Sequence, residues 1–355
     1  MKTLDDIEKI RDLDKSGMYD KIYDFPEQME QALEIGRNID IDRRKSGKIE
    51  NIIVAGMGGS AIGGDLVRSY LNDSLTVPFF VCRNYSLPGF ANNKTLVIIS
   101  SYSGNTEETL AAMQEAIEKG CSVICLTSGG KIGQLAQKHG FACGILPPGY
   151  PPRAALGFSF VPLLIIMSKL GLCPDPQSDL AEVAAGLKSY RTRYSMETIA
   201  DQNPAKKLAE KLHGRIPVIY SGPERLDAVA TRWKGQICEN AEMPAFCNVF
   251  PEFNHNELVG WHILGDFRKS AIVVYLRDND DHGRIKTRME IVREVLTREK
   301  IEIVDIFSQG DFVLGRMFSL IQLGDFASYY LAILNNVDPT PVKVIDYLKD
   351  RLAQK

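Results

Sequence analysis

Between residues 51 and 147 the chain alternates short β-branched runs with helical stretches, at about 20–25 residues per unit. The runs are NIIVAG, SLTVPFFVC, KTLVIIS, CSVICLT and FACGILP, and helical patterning fills 61–71, 106–119 and 131–139. A helix between successive strands is the crossover that a parallel pair needs. The pattern therefore predicts an α/β fold with five strands in a parallel sheet covered on both faces. The alternation returns later as IPVIYSG, AFCNVF, SAIVVYL and IEIVDIF, with helical stretches at 223–238, 284–298 and 313–334. Residues 1–48 and 173–214 read as helices. The expected division is a helical N-terminal extension (1–48), a first α/β domain (49–172), a helical connecting arm (173–214) and a second α/β domain (215–355). A weak internal echo joins the halves: NIIVAGMGGSAIGGDLVRSYL and IPVIYSGPERLDAVATRWKG both run strand, glycine turn, helix.

Charge narrows the function. The 42 basic and 45 acidic residues leave a net charge of −3. That balance gives no bulk attraction to nucleic acid or to an anionic membrane. The start, MKTLDDIEKIRDLDKSG, lacks the apolar core of a secretory signal. The apolar stretch 154–167 contains Pro162 and is too short to span a bilayer. It is expected to be a buried helix with Pro162 at or near its first turn. Seven scattered cysteines read as small buried hydrophobes in a reducing cytoplasm. The five histidines show neither HxH nor HExxH spacing, so no metal site is expected.

Two strand ends carry the chemistry. GMGGSAIGG (56–64) and SYSGNTEET (101–109) follow the first and third expected strands, and each opens a helix. Helix N-termini present unbonded N–H groups and the positive end of the dipole, which favour anions. Small hydroxyls can donate to phosphate oxygens, and glycine lets the backbone approach. Gly56, Gly58 and Ala61 also satisfy G-x-G-x-x-A, the loop of a dinucleotide fold. That fold wants an acid at the end of its second strand, and this chain has Arg83 there, which an NADP-binding version could use. Ser103 and Thr106 could be simple N-caps, but capping leaves hydroxyls at both strand ends unexplained. A phosphomonoester accounts for both. Arg153, in GYPPRAALG (149–157), could hold further negative charge in a substrate or transition state.

Through these motifs the chain resembles the sugar isomerase (SIS) fold, whose S-x-S-G-x-T loop holds a sugar phosphate. CENAEMPAFCNVFPEFNHNE (238–257) narrows the likeness to the bifunctional phosphoglucose/phosphomannose isomerases. GMGGSA, SYSGNTEET, PPRAALG, ENAE, PEFNHNE and DPTPVKVIDYLK follow in that family's order along nearly the whole chain. The resemblance implies two SIS-type domains, each a parallel sheet flanked by helices, in a homodimer. It implies that Gly58, Gly59, Ser60, Ser101, Ser103 and Thr106 bind the substrate phosphate. Arg153 matches the active-site arginine and Glu239 the isomerisation base. His255 and Lys349 match groups assigned to opening the sugar ring. Some members carry threonine seven residues before the terminal lysine; this chain has Val342 there.

The implied reaction moves a proton between C1 and C2 of a hexose 6-phosphate through a cis-enediol, interconverting fructose 6-phosphate with glucose 6-phosphate and mannose 6-phosphate. One carboxylate can take and return that proton, so no cofactor is required. Another SIS sugar-phosphate isomerase would share the phosphate loop without ENAE, FNHN and the terminal lysine helix together. A non-catalytic sugar-phosphate sensor would bind without turnover.

Overall fold

The computed structural model describes residues 3–42, 48–263, 265–352 and 354. The chain forms two compact units. One comprises Asp24–Lys188 with Asp311–Gly315 and is called the first unit here. The other comprises Met1–Tyr23, Ser189–Gly310 and Arg316–Lys355.

The first unit contains β1 (Asn51–Ala55), β2 (Phe79–Cys82), β3 (Thr95–Ser100), β4 (Ser122–Thr127) and β5 (Ala142–Ile145). All pairings are parallel, in the order β2-β1-β3-β4-β5. Every residue of β3 is buried, as its unbroken TLVIIS run requires of a central strand with helices on both faces. The chain builds outward from β1 toward β2 and then from β3 toward β5. The order therefore reverses between β1 and β3, and a crevice forms at their carboxyl ends. Those are the ends that carry GMGGSA and SYSG.

Two helices close the unit. Phe25–Asn38 packs on Leu156–Lys169 so closely that a Cβ on Gly36 would lie 2.9 Å from Ile165 Cβ. Leu156–Lys169 is buried almost throughout, and Pro162 lies inside it rather than at its first turn. An interior proline costs about 3 kcal/mol in an isolated helix. Burial of a helix that is apolar on every side offsets that cost.

The second unit contains β6 (Ile216–Ser221), β7 (Phe246–Val249), β8 (Ala271–Arg277) and β9 (Glu302–Phe307). They form a parallel sheet in the order β7-β6-β8-β9. The N-terminal helices divide between the units: Met18–Tyr23 lies with the second and Phe25–Asn38 with the first. The expected arm also divides, since Gln177–Tyr194 crosses the boundary and Pro204–Leu212 belongs to the second unit. Asn203 caps Pro204–Leu212, its side chain accepting from the Ala205 and Lys206 amides at 2.9 and 3.1 Å.

The helix Val313–Leu334 is long and apolar enough to cross a membrane, yet 94% of its apolar window is buried inside the protein. It meets the helix Asp227–Asn240 along a buried polar seam. Arg232 Nη2 donates to Asp325 at 2.6 Å, Gln236 Nε2 to the other Asp325 oxygen at 2.8 Å, and Asn240 Nδ2 to Ser328 Oγ at 2.9 Å. The three donors recur every fourth residue, so they share one face of the helix. Above them, a Cβ on Gly324 would lie 2.3 Å from Trp233 Nε1.

Burial raises the Asp325 pKa, and Arg232 opposes it. Arg232→Met should strand this carboxylate and cost about 3–5 kcal/mol, read by denaturant unfolding. In the variant the folded carboxyl holds its proton to higher pH than the unfolded one, so stability falls as pH rises. The deficit against wild type should shrink as pH falls toward the ordinary carboxylate range; a pH-independent deficit would refute the assignment.

Candidate active site

The residues expected to bind phosphate come together at the carboxyl ends of β1 and β3. Backbone contact sets the shape of the resulting cradle. A Cβ on Gly56 would lie 2.7 Å from the Ser100 carbonyl oxygen, and one on Gly59 only 2.4 Å from the Pro152 carbonyl oxygen. The first approach locks the two strand-end loops together; the second brings the turn Pro152–Ala154, and with it Arg153, against them. Gly58 has φ +49° and open space where a Cβ would stand, and Gly104 has φ +68° with its Cα pressed toward the Gly129 carbonyl.

The hydroxyls are oriented by their neighbours. Ser60 Oγ accepts from the Tyr102 amide at 3.1 Å. Thr106 Oγ1 accepts from Ser101 Oγ at 3.1 Å, and Ser103 Oγ accepts from the Asn105 amide at 3.3 Å. Ser60, Ser103 and Thr106 each keep a proton to donate outward. Buried Ser101 gives its own to Thr106 and so acts by orienting it. Thr106 is the N-cap of the helix Glu107–Glu118 but makes no side-chain capping bond. The helix Gly58–Leu71 likewise has no side-chain cap. Both N-termini thus keep amide donors that no cap consumes.

Two supports escaped the sequence reading. Tyr102 ties the cradle together: its hydroxyl donates to the Pro147 carbonyl at 2.5 Å and accepts from the Tyr150 amide at 3.1 Å, while its own carbonyl accepts from Ser128 Oγ at 2.6 Å. Desolvation pushes its pKa up, so it stays a donor. Gln28 brackets the arginine turn, donating to the Ala154 carbonyl at 2.8 Å and accepting from the Gly157 amide at 2.7 Å. A signal was present, because Gln28 interrupts the buried stripe of Phe25, Met29, Ala32 and Gly36. Arg153 itself is buried, 4% exposed.

Glu239, His255 and Lys349 lie in the second unit. Half-buried Glu239 stands in the last turn of Asp227–Asn240 and lines a cleft of about 510 Å³ with Met243, Val342 and Lys343. The cleft brings Glu239 together with Val342. His255 is exposed at the end of the turn Glu252–His255, and Lys349 is exposed on the helix Lys343–Leu352. Neither is among the residues lining that cleft, and the lysine there is Lys343.

The second sheet repeats the topology with opposite chemistry. Its order reverses between β6 and β8, but carboxylates fill the strand ends. A Cβ on Gly222 would lie 2.5 Å from Asp281 Oδ1. Asp278 accepts from Ser308 Oγ at 2.9 Å and from Arg316 Nε at 3.1 Å. Among the described residues, aspartates paired with Arg316 occupy the strand ends where the first unit has hydroxyls and open helix amides.

Residues 48–141 match the SIS domain family, and residues 201–352 match the bacterial phospho-glucose isomerase C-terminal SIS domain. The bifunctional phosphoglucose/phosphomannose isomerase of Caldicellulosiruptor bescii is 47% identical over 341 residues, covering 95% of this chain and 99% of that protein. The chain belongs to the bifunctional phosphoglucose/phosphomannose isomerase family. A family member from Aquifex aeolicus is 36% identical, over 86% of this chain and 91% of its own. Among solved structures, a hypothetical protein from Thermus thermophilus shares the fold with a TM-score of 0.75 at 18% identity, covering 98% of this chain and 94% of that one.

Gly59→Ala tests the cradle. Its Cβ must push the Pro152 carbonyl away, so affinity for a sugar phosphate should fall at least about tenfold, measured by calorimetry. Wild-type affinity would show that this approach does not shape the phosphate site.

Proposed function

We infer that the protein interconverts fructose 6-phosphate with glucose 6-phosphate and mannose 6-phosphate by a cis-enediol proton transfer. The observation that carries this is the cradle of uncapped helix N-termini and oriented hydroxyls, which can hold a phosphate dianion without a lysine. The family to which the chain belongs supplies the reaction class.

The roles are those that the family resemblance implies, and residue chemistry agrees with them. Gly58, Gly59, Ser60, Ser103 and Thr106 hold the phosphate, with Ser101 orienting Thr106. His255 and Lys349 serve ring opening: the O1 proton leaves, the C1–O5 bond breaks, O5 takes a proton and C1 becomes a carbonyl. Glu239 then removes the C2 proton of the aldose while the carbonyl oxygen gains one. Glu239 then returns the proton to C1 of the enediol as the O2 hydroxyl is deprotonated, giving the ketose. Arg153 stabilises charge on the enediolate oxygens. The seven cysteines are free thiols, as suits a reducing cytoplasm.

The protein is assigned as a homodimer. The helix Lys343–Leu352 buries no side chain, yet Val344, Tyr347 and Leu348 are 82%, 65% and 57% exposed along one side of it. A second copy would cover that stripe. Sedimentation should give a dimer mass for the wild type and a monomer for Leu348→Glu; a monomeric wild type would remove the assignment.

Incubation with fructose 6-phosphate and EDTA, followed by NMR, should yield both aldose 6-phosphates. Binding without turnover would establish a sensor instead, and turnover abolished by EDTA would require a metal. Glu239→Gln should abolish isomerisation with sugar-phosphate binding largely intact, and near-normal turnover would take Glu239 out of its role. Ser103→Ala should mainly raise KM.

A further inference from the structure

The turn that carries His255 is fastened on both sides to a single residue of β6. Two positions before the histidine, Phe253 lies flat on the Tyr220 ring, with centroids 4.2 Å and planes 7° apart. Two positions after it, the Glu257 carboxylate accepts the hydrogen bond of the Tyr220 hydroxyl. Tyr220 is fully buried. Its oxygen also accepts from Trp261 Nε1 at 3.0 Å, so its single proton is directed at Glu257. The other Glu257 oxygen accepts from Asn248 Nδ2 at 2.7 Å, on β7.

Around the turn, Phe253 also meets Phe250 edge-on with centroids 4.7 Å apart, Arg288 Nη1 donates to Asn254 Oδ1 at 3.4 Å, and Asn256 Nδ2 donates to Glu252 Oε1 at 2.9 Å. The turn's backbone bonds are Asn254 N–H to the Pro251 carbonyl at 3.0 Å and Asn256 N–H to the Phe253 carbonyl at 3.3 Å. The histidine is exposed, so packing does not fix its direction. Desolvation first, and Glu257 second, push the Tyr220 pKa far upward, so the hydroxyl remains a donor throughout the working pH range.

We propose that Tyr220 and Glu257 are positioning residues for His255, holding its turn so that the imidazole meets the ring oxygen of a cyclic sugar phosphate. This rests on the reading of His255 as a ring-opening group. Ring opening exchanges the α and β anomers of the substrate, whereas phosphate binding does not involve the ring oxygen. A loosened turn should therefore slow anomer exchange without weakening the hold on the phosphate.

The test uses Tyr220→Phe and Glu257→Gln, with His255→Ala as reference. Tyr220→Phe keeps the ring that Phe253 stacks on and removes only the hydroxyl. Enzyme-catalysed anomer exchange of glucose 6-phosphate is read by exchange NMR. Affinity is read with glucitol 6-phosphate, which has no ring to open. Both variants should lose about ten- to a hundredfold in anomer exchange, with glucitol 6-phosphate affinity within about twofold of wild type. Wild-type exchange in both, when His255→Ala loses it, would overturn the positioning role and leave the histidine reading standing. Wild-type exchange in His255→Ala would overturn the histidine reading and the positioning role with it. Equal losses of exchange and of glucitol 6-phosphate binding would show a general structural role and overturn the proposal. Should Tyr220→Phe fail to fold, Glu257→Gln decides alone.

Discussion

Two backbone carbonyls set the dimensions of the phosphate cradle. Ser100 and Pro152 present their oxygens where side chains at Gly56 and Gly59 would otherwise stand. Because those positions are glycine, three separated segments can meet at van der Waals distance: the end of β1, the end of β3 and the arginine turn. The hydroxyl orientations, the uncapped helix ends and the placement of Arg153 follow from that approach. The N-terminal helix Phe25–Asn38 shares in it, since Gln28 bonds both sides of the arginine turn. A segment that looks like an extension is part of the site's scaffold.

The second unit obtains precision differently. Its candidate base and ring-opening histidine stand on a helix end and a short turn, which have little intrinsic rigidity. Buried polar contacts supply it. The Arg232, Gln236 and Asn240 seam sets how Asp227–Asn240 rotates against Val313–Leu334, and so where Glu239 points. The Tyr220, Glu257 and Trp261 group does the same for the turn of His255. Such groups are costly unless every partner is in place, so each permits a narrow geometry.

Much of the architecture was legible because parallel sheets leave a strong imprint. Strands buried on both faces must be apolar throughout, and their crossovers must be helical. The strand runs at the start of both halves accordingly coincide with β1 to β9 closely. The place of Pro162 was less legible, because a local rule about proline yields to burial around the whole helix. The hydroxyl loops were readable from residue type, yet the sequence treats Ser101, Ser103 and Thr106 alike. Only the tertiary structure separates Ser101, which donates to Thr106, from Thr106, which accepts that bond.

The sequence alone determined the fold class, the two parallel sheets and the glycine and hydroxyl character of the first strand ends, since these depend on periodicity and residue type within short windows. Tertiary structure decided which helices of the first 48 residues belong to which unit, and that Lys343 and Val342, not Lys349, share the Glu239 cleft. It also decided that the second sheet, despite its repeated topology, closes its strand ends with aspartates. These outcomes turn on approaches of a few ångströms between residues far apart in the chain, and no local pattern encodes such distances.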